Sequence, residues 1–229
     1  MLARVLEPEV MDSEADAREY DSMDHAAVNA VFVADLVAAI RHWSLKRPVR
    51  SGDESPKILD LGVGTAQIPV ELCRRSPDLR VIAVDAAASM LAIAERNVVA
   101  AGLVDRIELV LADAKRLPFD DASFPVIVSN SILHHIAEPA VVLAEAVRAG
   151  TPDALQFHRD LCRPTDEMEL QRLVATYAGD ATSYQQRLFA ESLHAALTLE
   201  EMQSLVEKLG FAPETVRMTS DRHWTWITG

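Results

Sequence analysis

Apolar residues recur at helical spacing from about Asp24 to Trp43, through Val28, Val31, Phe32, Leu36, Val37 and Ile40, which predicts one long helix. The residues before it, 1–24, are polar and read as loop with a little helix. "KRPVRSGDESP" (46–56) follows as a loop carrying two prolines and a glycine. The pattern then alternates. "KILDLG", "RVIAVD", "RIELVLAD", "PVIVSN" and "ALQFHRD" are short, nearly continuous apolar runs suited to strands covered on both faces. Between them lie helical segments: "TAQIPVELCRRS", with Pro69 confined to its first turn, "AASMLAIAERNVVAAG", closed by Gly102, and "PAVVLAEAVRAG", stopped by Gly150. Strict alternation of this kind implies βαβ crossovers and a mostly parallel α/β sheet with helices on both faces.

Beyond residue 163 the rhythm changes. "TDEMELQRLVATYAGD" and "SYQQRLFAESLHAAL" read as two helices, the first with Leu170, Leu173, Val174 and Tyr177 on one face. "TLEEMQSLVEKLGF" opens on a capping box, Thr198 with Glu201, and closes at Gly210. "ETVRMTSDRHWTWITG" reads as an antiparallel hairpin turning at Ser220–Asp221 on the sheet edge, for seven strands in all. Residues 1–229 are taken as one domain, with an N-terminal helical segment over 1–45 and a helical insertion over about 164–197.

Composition narrows the partners. The 35 acids exceed the 22 bases by 13, and such a surface repels a phosphate backbone at long range, so no nucleic acid is expected. The stretch "AAVNAVFVADLVAAI" is interrupted by Asn29 and Asp35 and reads as too short to span a bilayer, so no stable membrane association is expected. The acidic N-terminal stretch lacks the apolar core of a signal peptide. Cys73 and Cys162 stand without CxxC spacing or a His-spaced partner; free thiols, a cytoplasmic setting and no metal are expected.

The candidate chemistry begins at "ILDLGVGTAQIPV". Gly62 and Gly64 directly follow the first strand, where a bare backbone lets a ligand approach the N–H groups of the next helix. Asp85 ends the second strand about twenty residues on, where a carboxylate accepts from both ribose hydroxyls. Asp113 ends the third strand, within reach of an exocyclic adenine amine. A dinucleotide would require pyrophosphate on this turn, usually through GxGxxG. Here Gln67 takes the third glycine position, and the Asp60 carboxylate would repel phosphates while suiting an ammonium group beside a sulfonium.

With "ILDLGVGTA", "VIAVDAAASMLAIAERN", "LVLADAKRLPF" and "VIVSNSILHHI" together, the chain resembles the class I S-adenosylmethionine-dependent methyltransferases, of the broad ubiquinone/menaquinone-biosynthesis-like group. The motifs cover roughly residues 20–160. The resemblance implies a Rossmann-like fold and S-adenosyl-L-methionine as cofactor, leaving S-adenosyl-L-homocysteine as product. It further implies that Asp60, Gly62, Gly64 and Thr65 surround the methionine moiety. Asp85 would hold the ribose, with Ala86 and Met90 near the adenine and Asp113 and Ala114 at its edge. Asn130 and Ser131 would line the wall near the sulfonium, and Tyr20 would close over the cofactor. Two departures stand out: Ala66 replaces a frequent third glycine, and "GTPDAL" replaces the usual Pro-Gly-Gly before the fifth strand.

The reaction implied is in-line methyl transfer to a small-molecule acceptor. His134 and His135, after the fourth strand, are candidates for a base or a substrate-orienting pair; packing and capping of the next helix is the competing reading. Arg159 is a candidate for binding a substrate carboxylate or phosphate, with Asp160 holding its guanidinium, against a structural ion pair. His223 or Trp224 of the tail "SDRHWTW" either reaches the crevice or packs on an edge strand. The helices at 165–197 form an acceptor lid, extra core or a homodimer surface. The [DN]-P-P-[YF] of nucleic-acid amino-methylating enzymes is replaced by "NSIL". The alternatives are a non-catalytic cofactor-binding or scaffold module and an enzyme using the same cofactor for other chemistry, with a dehydrogenase as the outsider.

Overall fold

The computed structural model describes residues 2–7, 12–23, 25–46 and 56–229. Most of the expected 46–56 loop and the expected helix start at Asp24 lie outside the described residues. Seven strands form one sheet: β1 (Lys57–Leu61), β2 (Arg80–Asp85), β3 (Ile107–Leu111), β4 (Phe124–Asn130), β5 (Gly150–Leu161), β6 (Val216–Met218) and β7 (His223–Ile227). Their order is β3-β2-β1-β4-β5-β7-β6. β1 pairs in parallel with β2 and β4, and β2 with β3, whereas β6 and β7 are antiparallel. The strand order reverses beside β1, and that reversal makes the crevice at the strand tips where open α/β sheets take ligands.

The helices are α1 (Glu14–Ser22), α2 (Ala26–Leu45), α3 (Gln67–Arg75), α4 (Ala88–Ala100), α5 (Pro139–Ala149), α6 (Glu167–Ala178), α7 (Ser183–Ala195) and α8 (Leu199–Lys208). Local chemistry sets several ends. After α4, Gly102 adopts φ 68°, the Gly102 N–H bonds to Val99 O and the Leu103 N–H to Val98 O, a Schellman closure. Capping boxes start α7 (Thr182 with Gln185) and α8 (Thr198 with Glu201), and the Asp166 side chain caps α6.

Two compact units are distinguished. The larger holds Val10–Asn130, Ala144–His158 and Ile227–Gly229. Its core packs Phe32, Leu36, Ile40 and Trp43 of α2 with Ile58, Val81, Val126 and Phe157 of the strands. Phe32 and Phe157 meet edge to face, their centroids 5.3 Å apart. Phe32, Leu36 and Ile40 are buried as expected and Val37 packs against the core, whereas Val28 and Val31 are exposed. α2 is also longer than the apolar run in the sequence: at 20 residues it is long and apolar enough, by length and composition, to cross a membrane. Its buried residues are Phe32, Val33, Leu36, Ile40 and Trp43, and its length exceeds the stretch read from the sequence as too short to span. β3 lies at one end of the sheet, and its Leu111 is exposed rather than covered.

The smaller unit holds Met1–Glu9, Ser131–Leu143 and Arg159–Trp226. Leu170 and Leu173 of α6 and Leu193 of α7 pack around Leu161. Tyr177, expected on the same face, is exposed; its hydroxyl donates to Asp221 at 2.8 Å under the Arg222 guanidinium. The hairpin forms as expected, but β6 is the outermost strand and β7 lies between β5 and β6. Trp224, Thr225 and Trp226 are all at most 1% exposed, so β7 is buried on both faces. Alternation therefore does not separate a core set from an exposed set there.

Residues 150–153, expected to form a turn, are instead the extended start of β5. Gly150 is needed there by close approach. A Cβ would lie 2.9 Å from Gln156 Nε2, 3.1 Å from Ala154 Cβ and 3.2 Å from Ile127 Cδ1. Gln156 cannot yield freely, because its amide is buried between His158 and the Ala146 carbonyl. Gly150→Ala is expected to destabilise the protein by about 1–3 kcal/mol through overpacking, read from the midpoint of urea unfolding.

Candidate functional site

The chain leaves β1 through three left-handed residues at alternate positions: Gly62 (φ 70°), Gly64 (φ 57°) and Ala66 (φ 63°). Glycine takes this conformation without strain; for Ala66 it costs about 1–2 kcal/mol. Alanine at the third position thus keeps the backbone shape that glycine would give. The turn is held from the neighbouring strand. The N–H groups of Gly62 and Val63 both donate to Val84 O at 2.9 Å. The Gly64 N–H donates to Asp85 Oδ2 at 2.7 Å, and the Ala87 N–H to Asp85 Oδ1 at 2.9 Å. A carboxylate offers about four acceptor sites, so Asp85 keeps room for a further donor beside these backbone groups.

Asp60 lies in the central strand, opposite Ala83 and Val128, and is 5% exposed. Burial, reinforced by the Asp85 charge, raises its pKa to about 8. Burial also raises the Asp85 carboxyl, against the backbone N–H groups of Ala87, Gly64 and Ala86, which favour its anion. Such a pair of acids is suited to a cation at one end and hydroxyl donors at the other.

Tyr20 of α1 stands over this turn. A Cβ on Gly64 would sit 3.6 Å from its ring, and the ring packs with Ala17, Ala87, Met90 and Ile93. Burial and then the charges of Asp85 and Asp21 raise the pKa of its hydroxyl, keeping it a neutral donor. Ala112 N donates to Asp85 O at 2.9 Å, which brings the segment after β3 alongside. There Asp113 is exposed and accepts from the Lys115 N–H, while Ala114 is buried. Ala86 is exposed, Thr65 is buried, and Asn130 ends β4 half-buried. Asp60, Gly62, Gly64, Thr65, Asp85, Ala86, Met90 and Tyr20 thus converge, with the Asp113–Ala114 segment beside them. Two residues of this arrangement escaped the sequence reading. Asn97 donates to Thr65 O at 2.9 Å and to Asp21 Oδ1 at 3.0 Å, and Gln67 Nε2 reaches the same Asp21 oxygen. They tie α1 to the glycine turn. Asn97 follows Glu95 and Arg96 in α4, so one more polar residue there gave no distinct signal.

The histidines belong to a second constellation, within the smaller unit. Ser131 takes φ 56°, and its N–H donates to Arg159 O. His134 Nδ1 lies 2.5 Å from Asp160 Oδ1, and the Leu133 and Leu161 N–H groups donate to the same carboxylate at 2.6 and 2.7 Å. Burial alone would neutralise both partners; their mutual attraction instead raises the His134 pKa and lowers that of Asp160. Asp160 therefore serves His134, not Arg159 as expected. Consecutive strand residues face opposite ways, and Arg159 Nε donates to Thr225 Oγ1 at 2.9 Å, buried. The sequence also gave no sign of Glu7. Its Oε1 lies 3.4 Å from His134 Nε2 and 3.2 Å from His135 Nδ1. In the tail, burial lowers the His223 pKa to about 4, and its ring nitrogen bonds Ser220.

Comparison with known proteins fits this geometry. A family model described as "Methyltransferase domain" matches residues 58–153, from β1 into the start of β5. The chain is 29% identical over 213 residues to the ubiquinone/menaquinone biosynthesis C-methyltransferase UbiE of Xylella fastidiosa, covering 85% of this chain and 78% of that protein.

The chain carries a segment that matches a methyltransferase family model, and it is similar along most of its length to an S-adenosylmethionine-dependent class of methyltransferases.

Solved structures of methyltransferases share the fold of this chain. A SAM-dependent methyltransferase from Aquifex aeolicus superposes with a TM-score of 0.62 at 15% identity, covering 94% of this chain and 97% of its own. The plantazolicin methyltransferase BpumL, solved with a desmethyl-plantazolicin analogue and SAH, gives 0.68 at 14% identity, covering 93% and 88%.

Removing the carboxylate at Asp160 strands the His134 Nδ1–H and the N–H groups of Leu133 and Leu161. Asp160→Ala is expected to cost the protein about 3–5 kcal/mol, measured by chemical unfolding monitored through tryptophan fluorescence.

Proposed function

We propose that S-adenosylmethionine lies over the glycine turn with its ammonium toward Asp60 and its ribose on Asp85, and that its methyl group passes to a small-molecule acceptor. One observation carries the reading: Asp60 is a buried acid at the central strand tip, beside a second acid whose oxygens are already fixed by Gly64 and Ala87. A buried carboxyl held protonated by its surroundings fits a cationic ligand, because the ligand supplies the missing positive charge. A pyrophosphate would meet two acids there.

In this reading Gly62, Gly64 and Thr65 line the methionine portion, Tyr20 covers it, and Asn130 and Ser131 bound the sulfonium side. Ala86, Met90, Asp113 and Ala114 receive the adenine. The bound cofactor supplies an electrophilic methyl carbon on sulfur. The chain's part is to hold the nucleophile in line with that carbon and to exclude water. Asp160 fixes the His134 ring through Nδ1, with Nε2 turned toward Glu7. Arg159, buried on Thr225, steadies β5 and does not touch substrate in this reading.

The relatives support a small organic acceptor: one is named for ubiquinone and menaquinone biosynthesis, another was solved with a plantazolicin analogue. We place the reaction in the cytoplasm, for which the free Cys73 and Cys162 speak.

The deciding experiment incubates the protein with S-adenosylmethionine and a panel of quinol, phenol and amine acceptors and follows S-adenosylhomocysteine by mass spectrometry. Acceptor-dependent product supports the proposal; tight binding of NAD with none of S-adenosylmethionine overturns it. Asp85→Ala is expected to weaken S-adenosylhomocysteine binding by about 1–3 kcal/mol in calorimetry, the loss of charge-assisted hydrogen bonds.

Binding also carries a proton signature. Free Asp60 holds its proton below about pH 8, and an ammonium partner requires the anion. Binding near pH 6.5 therefore releases a proton, and affinity rises with pH toward 8 by up to about tenfold per unit. Calorimetry in buffers of different ionisation enthalpy reads the released proton directly; Asp60→Asn should abolish the release.

A further inference from the structure

Glu7, His134 and His135 lie far apart in sequence, yet Glu7 Oε1, His134 Nε2 and His135 Nδ1 all fall within 4.8 Å of one another. We propose that these three atoms form a zinc site, with Asp160 as its outer support and the fourth position open.

The distances favour ligands over a hydrogen-bonded cluster. Charge-assisted N–H···O bonds run about 2.7–2.9 Å. Glu7 Oε1 instead stands 3.4 Å from His134 Nε2 and 3.2 Å from His135 Nδ1. Four donors at about 2.0–2.1 Å around a tetrahedral ion are separated by about 3.3–3.4 Å, close to the two Glu7–histidine distances. The Glu7 side chain is 10% exposed, and its Oε1 has no hydrogen-bond donor among the described residues. A buried carboxylate oxygen in that condition calls for a cation.

The supporting groups have the form that ligating histidines need. His134 Nδ1 is engaged by Asp160 at 2.5 Å, which fixes the proton on Nδ1 and turns the Nε2 lone pair toward Glu7. Asp160 is itself held by the Leu133 and Leu161 N–H groups, so the ring cannot swing. The two imidazoles converge, with centroids 4.1 Å apart and planes tilted by 37°. Glu7 is carried to this turn by Arg4, whose guanidinium donates to Ala195 O at 2.7 Å and Ile136 O at 2.9 Å. The Arg4 charge is thus directed at carbonyls, while Glu7 and Asp160 offset the charge of an ion. Two imidazoles and one carboxylate form a borderline donor set, and the spacing suits a four-coordinate ion better than the shorter edges of an octahedron.

The test uses untagged protein, since an affinity tag of histidines would bind zinc itself. After chelator treatment and its removal, calorimetry with Zn2+ is expected to show one ion per chain. Co2+ in its place should give the intense visible absorption of a four-coordinate centre. Glu7→Gln preserves the shape of the side chain, and His135→Ala alters a partly exposed one, so both are expected to fold by circular dichroism. Each should weaken zinc binding at least about 100-fold, and Asp160→Asn should weaken it by about 10–100-fold. Binding that is unchanged in Glu7→Gln and His135→Ala, weak binding of several ions per chain, or a six-coordinate Co2+ spectrum would each overturn the proposal. S-adenosylhomocysteine affinity is measured in parallel on the same samples, so failure here is separable from failure of the cofactor reading.

Discussion

The Asp85 carboxylate is the interaction on which the cofactor end of the molecule depends. It ends β2, accepts from the Gly64 N–H on one side and from the Ala87 N–H on the other, and so fixes two turns to one anion. Within the glycine turn the Ala66 N–H donates to Val63 O at 3.1 Å, and the rest of its fixing comes from β2. There Asp85 and the Val84 carbonyl accept from the turn. The same carboxylate acts on Asp60 through its charge, helping to keep that acid protonated. A group that builds the turn thereby also sets the electrostatics of the ligand's far end.

Asp160 performs a comparable task on β5. One carboxylate receives backbone N–H groups and an imidazole, so the turn after β4 and the ring of His134 are ordered together. The difference lies in compensation. Asp160 has His134 as a partner within the fold, and its pKa falls; burial and then the Asp85 charge act against the Asp60 anion, and its pKa rises. The fold is electrostatically complete at the first place and incomplete at the second. That contrast is the physical basis for assigning the ligand's positive end to Asp60.

Much of this was legible in the sequence because it rests on local chemistry. The strand runs, the Gly62–Gly64 turn, the Schellman glycine at 102 and the Thr198 capping box each act over a few residues, and each appears as read. Long-range pairing was not legible. Nothing near Glu7 in the chain announces that it meets His134, and only the turn conformation makes the meeting occur. The pairing of Asp160 with Arg159 failed because adjacency in sequence is separation across a strand. The interior place of β7 was hidden because a short strand with two tryptophans reads alike at an edge or inside a sheet. Val28 and Val31 of α2 were wrongly included in its buried face because alanine and valine occur on both of its faces.

The placement of β7 has a consequence for how the chain reaches its final form. β6 precedes β7 in sequence but lies outside it, so β6 has no seat on the sheet until residues 223–227 have been inserted against β5. A chain emerging from the ribosome therefore holds β5 as a bare edge until its last strand is synthesised. An unpaired edge of that kind is a template for association with other chains. Truncations that stop short of Trp224 should yield insoluble material even though every residue of the glycine turn is present.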